Sequence, residues 1–370
     1  MSKAVKKYFA PGRVNLIGEH IDYNGGLVLP AALNIGISAT YIPQSDNKIV
    51  LRSATHSLVK EINLSDTFSF NPQNDWTNYP IGIIEHLKRE NHYIPSCEVI
   101  FESNLPEGSG LSSSAAIEVL TAFMLLSQTE SNINRTWLAE FCQQVENEFI
   151  DVKCGIMDQY AVANGKKDNA LLLDCAYLKH DFVPIELGDC RLLLMNTNKP
   201  RSLIRSRYNE RKAECEEALR IIRNVKPQLK NLCEAEMHWI ETITDEVIRK
   251  RARHVISENI RVKESVKVLR HNDLHTFGRL LNASHQSLKE DYEVSGTELD
   301  ILVETAQEIK GCLGARMTGA GFGGCAIALV HHSVIEKLKN NVSETYFNST
   351  GITCSFHTVE IGDGVRLLSE

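Results

Sequence analysis

The sequence predicts an α+β protein built as two domains, and three observations carry that expectation. With 370 residues the chain is longer than one ordinary hydrophobic core accommodates. Its early segments Ile35–Tyr41, Lys48–Arg52 and Cys97–Glu102 are short, rich in Ile, Val, Tyr and Phe, and bounded by turn formers, as strands are. Its last third alternates: Thr297–Cys312 carries Leu299, Leu302, Val303, Ala306 and Ile309 at helical spacing, then come glycines and the apolar run Cys325–Val330. A helix over Val334–Tyr346 and a strand over Ile352–Ile361 complete the alternation. A shift of composition over Leu187–Asn196 sets the domains at about residues 1–190 and 191–370.

Between these landmarks, Pro80–Glu90 opens with proline and places Ile83, Ile84 and Leu87 on one helical face. The run from Ser112 is apolar nearly all round, as in a helix at a domain centre, and Trp137–Phe149 carries a second apolar stripe. The stretch from Ser202 to His285, rich in Arg, Lys and Glu, reads as several amphipathic helices punctuated at Pro227 and near Gly278. No internal repeat is present.

Composition narrows the function. A formal net charge of -7 argues against a nucleic-acid partner, which requires a dense cationic surface. Met1–Lys7 has basic residues without an apolar run behind them, and no stretch is apolar for long enough to span a bilayer, so neither a secretory signal nor a membrane anchor is expected. The ten cysteines form no Cys-x-x-Cys pair, which suits reduced thiols in a cytoplasmic protein. His271 and His275 lie one helical turn apart without a third ligand, so a solvated helix face is the expectation there.

Four segments concentrate chemistry, and the common nucleotide motifs do not describe them. No Gly-x-x-x-x-Gly-Lys-Ser/Thr occurs, and the protein-kinase His-Arg-Asp and Asp-Phe-Gly signatures are missing. Gly319-Ala-Gly321-Phe-Gly323-Gly324 matches a dinucleotide fingerprint in letters only, because a strand follows where that fingerprint needs a helix. A tight glycine turn is the local reading. The segment Leu105–Ala116 leads from a strand into a long buried helix, with Gly108 and Gly110 permitting close backbone approach. Such a junction aims free N–H groups and the positive helix end at an anion, although serines there equally suit a helix cap. Pro11–Gly26 packs Arg13, Glu19, His20, Asp22 and Asn24 beside Val14, Leu16 and Ile17, the mixture a buried sugar requires, since each sequestered hydroxyl needs a partner. Lys153–Tyr160 sets Asp158 within an otherwise apolar stretch.

In order and spacing, Gly12–Gly26, the serine-rich loop, Cys154-Gly-Ile-Met-Asp-Gln159 and Arg316–Gly324 resemble the galactokinase branch of the GHMP small-molecule kinases. The resemblance covers essentially the whole chain. It implies an N-terminal domain like one found in a ribosomal protein and a ferredoxin-like α/β C-terminal domain. It also implies transfer of the γ-phosphoryl group of ATP to the anomeric hydroxyl of galactose, with Asp158 as base or charge at that hydroxyl and Arg13 neutralising developing charge. Glu19, His20, Ile21, Asp22, Gly155 and Tyr208 match the family's sugar-site positions. Gly108, Ser109, Gly110, Leu111, Ser112, Ser113 and Ser114 would wrap the phosphates. Ser114 and Glu146 would hold Mg²⁺, and Gly319, Gly321 and Gly323 would close the site.

Phosphoryl transfer needs positioning, a metal and compensating charge more than covalent help, so this set is chemically sufficient. Small molecules are then the partners, and a monomer or weak oligomer suits the work. Galactokinases commonly carry Thr where this chain has Ile21, and Ile stands there in relatives acting on N-acetylgalactosamine, which is the alternative substrate. A sugar sensor without catalysis is a further alternative, but such relatives shorten the serine-alanine stretch that is complete here at Ser112–Ala116. A decarboxylase of the superfamily has no use for Glu19 and Asp22.

Overall fold

Lys6–Asn15 is a strand whose second half is buried on both faces, so the Pro11–Gly26 motif starts inside a sheet rather than on a surface loop. The computed structural model describes residues 4–106, 108–199 and 204–369, with backbone alone for 204 and 205. Glu107 of the serine-rich segment, Ser202 at the start of the expected helical stretch, and Met1–Lys3 of the expected leaderless start lie outside the described residues.

A six-stranded sheet runs in the order Arg366–Ser369, Lys6–Asn15, Pro30–Pro43, Cys97–Ser103, Lys48–Ser53, Lys60–Asn63. Its pairs are antiparallel except Lys48–Ser53 with Cys97–Ser103. Four helices pack with this sheet and on one another: α1 (Asn78–Arg89), α2 (Ser113–Leu126), α3 (Arg135–Glu148) and α4 (Met157–Asn164). Ala115 to Ala122 of α2 are all buried, as the run of apolar residues predicts for a central helix. A three-stranded sheet of Leu27–Val28, Asn169–Asp174 and Lys179–Pro184 lies at one side.

The second large sheet is antiparallel, in the order Cys312–Thr318, Cys325–His331, Cys190–Asn196, Ser355–Val359. The helical stretch comprises α5 (Ile204–Arg223), α6 (Glu246–Leu269) and α7 (Leu274–Ser287), followed by α8 (Thr297–Gln307) and later α9 (Ile335–Thr350). One continuous apolar cluster joins both large sheets and their helices.

Several local readings change. Leu187–Asn196, where the composition shifts, contains Cys190–Asn196, an interior strand of the second sheet with Leu192, Leu193, Leu194 and Met195 apolar on both faces. The helix expected to reach Cys312 ends at Gln307; Gly311 has φ +108 and Cys312 already belongs to a strand. Gly278 punctuates nothing: it lies within α7, where a Cβ would stand 2.1 Å from the Leu313 carbonyl oxygen, so it lets the helix touch the Cys312–Thr318 strand. Arg366–Ser369 and an isolated bridge from Leu33 to Ile361 return the chain's end to the first sheet. No disulfide joins the cysteines among the described residues. Among the described residues no helix is long and apolar enough to cross a membrane, and no group of three or more His, Cys, Asp and Glu side chains forms a metal cluster.

Candidate active site

Arg13 and Asp158, distant in sequence, form a bidentate ion pair. Nε donates to Oδ1 at 2.8 Å and Nη2 to Oδ2 at 2.7 Å. Arg13 is 4% exposed and is fixed from two further directions: its Nη1 donates to the Gly110 carbonyl at 2.8 Å, and its backbone N–H to the Leu111 carbonyl at 3.1 Å. Asp158 sits in the first turn of α4, where the helix dipole favours negative charge, and accepts a 2.5 Å hydrogen bond from Ser112 Oγ.

This pair stands between two cavities. The first, of about 340 Å³, is lined by Glu19, His20, Asp22, Gly155 and Tyr208. Asp22 packs directly on Gly155: a Cβ there would lie 1.7 Å from Asp22 Oδ2, so only glycine lets the carboxylate occupy this wall. Tyr208 reaches the wall from α5, with its ring 5.6 Å from that of His20 and 5.3 Å from that of Tyr23. Ile21, placed by resemblance in the sugar site, is instead a core residue with 0% exposure. Its side chain points toward Gly26, and it lines neither cavity.

Glu19 borders the cavity but is spent largely on the protein. Its Oε1 accepts from the Gly319 N–H at 2.7 Å and Thr318 Oγ1 at 3.1 Å, with Arg316 Nη2 at 3.0 Å; its Oε2 accepts from Asn15 Nδ2 at 3.1 Å. Burial, followed by the charge of nearby His254, lowers the His20 ring to about 3, so His20 is neutral in the working range.

The second cavity, of about 510 Å³, is lined by Gly108, Ser109, Gly110 and Ser112–Ser114. Leu111 is buried in the core and joins this loop through its carbonyl alone. Of the two readings of the serines, capping fails. Ser112 occupies the cap position in left-handed conformation, φ +62, without a side-chain cap bond, and turns its hydroxyl to Asp158. The first turn of α2 thus remains open toward the cavity. The far wall carries Trp76, Tyr79 and Phe101, which sequence reasoning missed because aromatic residues on a helix edge and a strand carry no motif.

Ser114 and Glu146 come together beside Asp158 and line the first cavity. Burial, then the charge of Asp158, raises the Glu146 carboxyl to about 7. Gln159 Nε2 donates to Glu146 Oε2 at 2.5 Å, and buried Glu118 Oε1 and Gln159 Oε1 have no hydrogen-bond partner among the described residues. A buried carboxyl held from ionising by its neighbours fits a divalent cation, whose charge reverses that penalty, and hydroxyl plus carboxylate is an oxygen set Mg²⁺ accepts. No role was expected of Gln159, although it closes the Cys154–Gln159 motif, or of Glu118, which reads in sequence as a helix residue like any other.

The glycine motif is a hairpin connection between Cys312–Thr318 and Cys325–His331, which brings Gly319 against the serine loop. A Cβ on Gly319 would stand 3.2 Å from the Gly110 carbonyl oxygen, and Gly321 abuts the Val294 carbonyl. Gly323 has φ +120 and faces Lys199 and Thr197 rather than either cavity.

Asp22 gives a pH test. Burial, then the charge of Asp158, raises its carboxyl from 3.8 to about 7. A carboxyl raised by folding binds its proton more tightly in the native state, so stability falls as pH climbs from about 4 to about 7 and is level above. Without ligand, Asp22→Asn should melt about 3 °C above the wild type at pH 8, with the gap shrinking toward pH 5. A gap independent of pH in thermal unfolding would contradict the assignment.

Comparison with known proteins agrees with this geometry. The galactokinase galactose-binding signature matches residues 3–42, the GHMP kinases N terminal domain residues 78–166, and the GHMP kinases C terminal domain residues 265–348. Galactokinase of Staphylococcus saprophyticus is 47% identical over 99% of this chain and 96% of its own, and that of Fusobacterium nucleatum is 45% identical over 98% and 95%. The crystal structure of Lactococcus lactis galactokinase complexed with galactose superposes with a TM-score of 0.93 at 42% identity, covering 99% of this chain and 96% of that one. Mevalonate kinase of Methanococcus jannaschii shares the fold alone, at a TM-score of 0.70 and 20% identity over 98% of this chain and all of its own. Full-length likeness, the matched signature and a paired Arg13–Asp158 between two cavities lead to one assignment: the chain belongs to the galactokinase family of GHMP kinases.

Proposed function

We propose that this chain transfers the γ-phosphoryl group of ATP to the anomeric hydroxyl of galactose, giving galactose 1-phosphate and ADP. The observation that carries the reading is that Arg13, Ser114, Asp158 and Ala320 line both cavities. Sugar in the first cavity and triphosphate in the second would meet at the ion pair, which is the requirement of a direct transfer between two bound reactants.

Asp158 accepts the hydrogen bond of the reacting hydroxyl and orients its lone pair toward phosphorus, while Arg13 stabilises the charge that develops on the transferring group. The Gly108–Ser114 loop and the open end of α2 hold the phosphates. Ser114 and Glu146 would hold Mg²⁺, whose charge would offset that of the triphosphate. Asp22 and Tyr208 take the hydroxyl at carbon 4, and Gly155 and Asp158 form the close wall near carbon 2. Free thiols throughout suit a reducing cytoplasm.

A coupled ATP-consumption assay with galactose, glucose and N-acetylgalactosamine tests the reading. Glucose differs from galactose only at carbon 4, where a misplaced hydroxyl leaves buried groups unpaired, so kcat/KM for galactose should exceed that for glucose about a hundredfold. The acetylated sugar should be poor through steric conflict. Equal rates on glucose and galactose would overturn the pocket model, and a preference for the acetylated sugar would replace the substrate.

A further inference from the structure

Glu19 and His20 adjoin the sugar cavity, yet their polar atoms are directed at the glycine motif. Glu19 Oε1 accepts the Gly319 N–H at 2.7 Å, and His20 Nε2 lies 3.2 Å from the Ala320 carbonyl oxygen. Consecutive residues of the first motif therefore grip backbone groups of consecutive residues of the last. Ala320 is a wall of both cavities, and Gly319 abuts Gly110 of the serine loop. His20 itself is held at φ +62, a left-handed conformation that persists only where surroundings impose it.

Behind His20 runs a chain of hydrogen bonds. His20 Nδ1 lies 2.8 Å from the Tyr23 hydroxyl, that hydroxyl 2.7 Å from the Tyr292 hydroxyl, and the latter 3.1 Å from Cys215 Sγ. Burial raises both phenols well above their ordinary value and the Cys215 thiol to about 12, so each group carries its single proton. The directions are then forced. The Ala320 carbonyl only accepts, so neutral His20 carries its proton on Nε2 and accepts at Nδ1 from Tyr23. Tyr23 must accept from Tyr292, and Tyr292 from Cys215.

We propose that Glu19 and His20 are positioning residues for the nucleotide side of the site: they hold the Gly319–Ala320 wall, and the Tyr23–Tyr292–Cys215 chain keeps His20 in the tautomer that donates to Ala320. The proposal rests on reading the second cavity as the nucleotide site. It changes what the sugar motif does, since part of it sets the shape of the neighbouring pocket. When the Tyr23 hydroxyl is removed, Nδ1 loses its donor, the ring is fixed by the Ala320 contact alone, and the grip on that carbonyl loosens.

Tyr23 lines neither cavity, so Tyr23→Phe separates the two affinities. Isothermal titration calorimetry with the non-hydrolysable ATP analogue AMPPNP plus Mg²⁺, and separately with galactose, is the measurement. The nucleotide Kd should rise about fivefold, the effect of one hydrogen bond, with the galactose Kd within twofold of the wild type. Unchanged nucleotide affinity, or an equal loss for both ligands, would overturn the proposal. Should Tyr23→Phe fail to fold, Tyr292→Phe must shift the same nucleotide Kd in the same direction, by about twofold to threefold, and no shift there overturns it equally. Thr55→Trp, on the exposed wall of the second cavity, isolates the underlying reading. Nucleotide affinity indifferent to Thr55→Trp sinks the site assignment, whereas affinity sensitive to Thr55→Trp and indifferent to Tyr23→Phe sinks the positioning role alone.

Discussion

Asp158→Asn should lower kcat about a thousandfold while changing the galactose Kd less than tenfold. Both carboxylate oxygens are committed, Oδ1 to Arg13 Nε and Oδ2 to Arg13 Nη2 and Ser112 Oγ. An amide keeps one acceptor but turns an N–H₂ toward donors, so it breaks one arm of the ion pair and leaves a nearly buried guanidinium short of its counter-charge. The hydroxyl loses its anionic acceptor, and Arg13 turns from its place beside the reacting oxygen. Positioned acid–base and electrostatic contributions are each worth about a hundredfold or more, and here one residue carries both. Sugar binding depends on the other walls of the cavity and suffers less. Steady-state kinetics beside calorimetric galactose binding checks this, and a variant with near wild-type kcat would remove Asp158 from the mechanism.

Gly155→Ala should lower kcat/KM for galactose more than a hundredfold with little change in nucleotide affinity. The added methyl would lie 1.7 Å from Asp22 Oδ2 and 2.4 Å from its Cγ, far inside contact distance, so the carboxylate has to leave the wall. Asp22 forms part of the cavity wall, and its displacement takes the proposed carbon-4 partner from the sugar. A site built to pair a hydroxyl loses most of its preference when that partner is misplaced. Gly155 has no positive φ that alanine could not adopt, so the backbone should tolerate the change, and the loss comes from the clash alone. Kinetics with galactose and calorimetry with AMPPNP separate the two ligands; a galactose kcat/KM within tenfold of the wild type would show that Asp22 is not held as a sugar contact.

The elements that sequence locates best are those with a strong local period. The apolar run after Ser112 became α2 within a residue, and Lys48–Arg52, Cys97–Glu102 and Cys325–Val330 became strands, since burial on fixed faces imposes those repeats. Interior strands such as Cys190–Asn196 lack alternation because both faces are covered, and so the segment resembled a change of composition rather than an element. Glycines were similarly ambiguous: Gly278 and Gly155 look alike in sequence, yet one admits a helix against a strand and the other admits a carboxylate against a turn.

The sequence by itself determined the reaction class, the order of the four motifs, and the residue types at the ion pair, because a motif records which side chains and backbone conformations a short segment needs. Tertiary structure alone decided what those side chains face. Ile21 turned into the core, Ser112 at the cap position gave its hydroxyl to Asp158, and Glu19 joined Gly319 across 300 residues. Such partnerships follow from how the hairpin carrying Gly319 meets the end of the Lys6–Asn15 strand at Asn15. No local pattern of charge or hydrophobicity encodes that distance, which is set by the packing of one shared core.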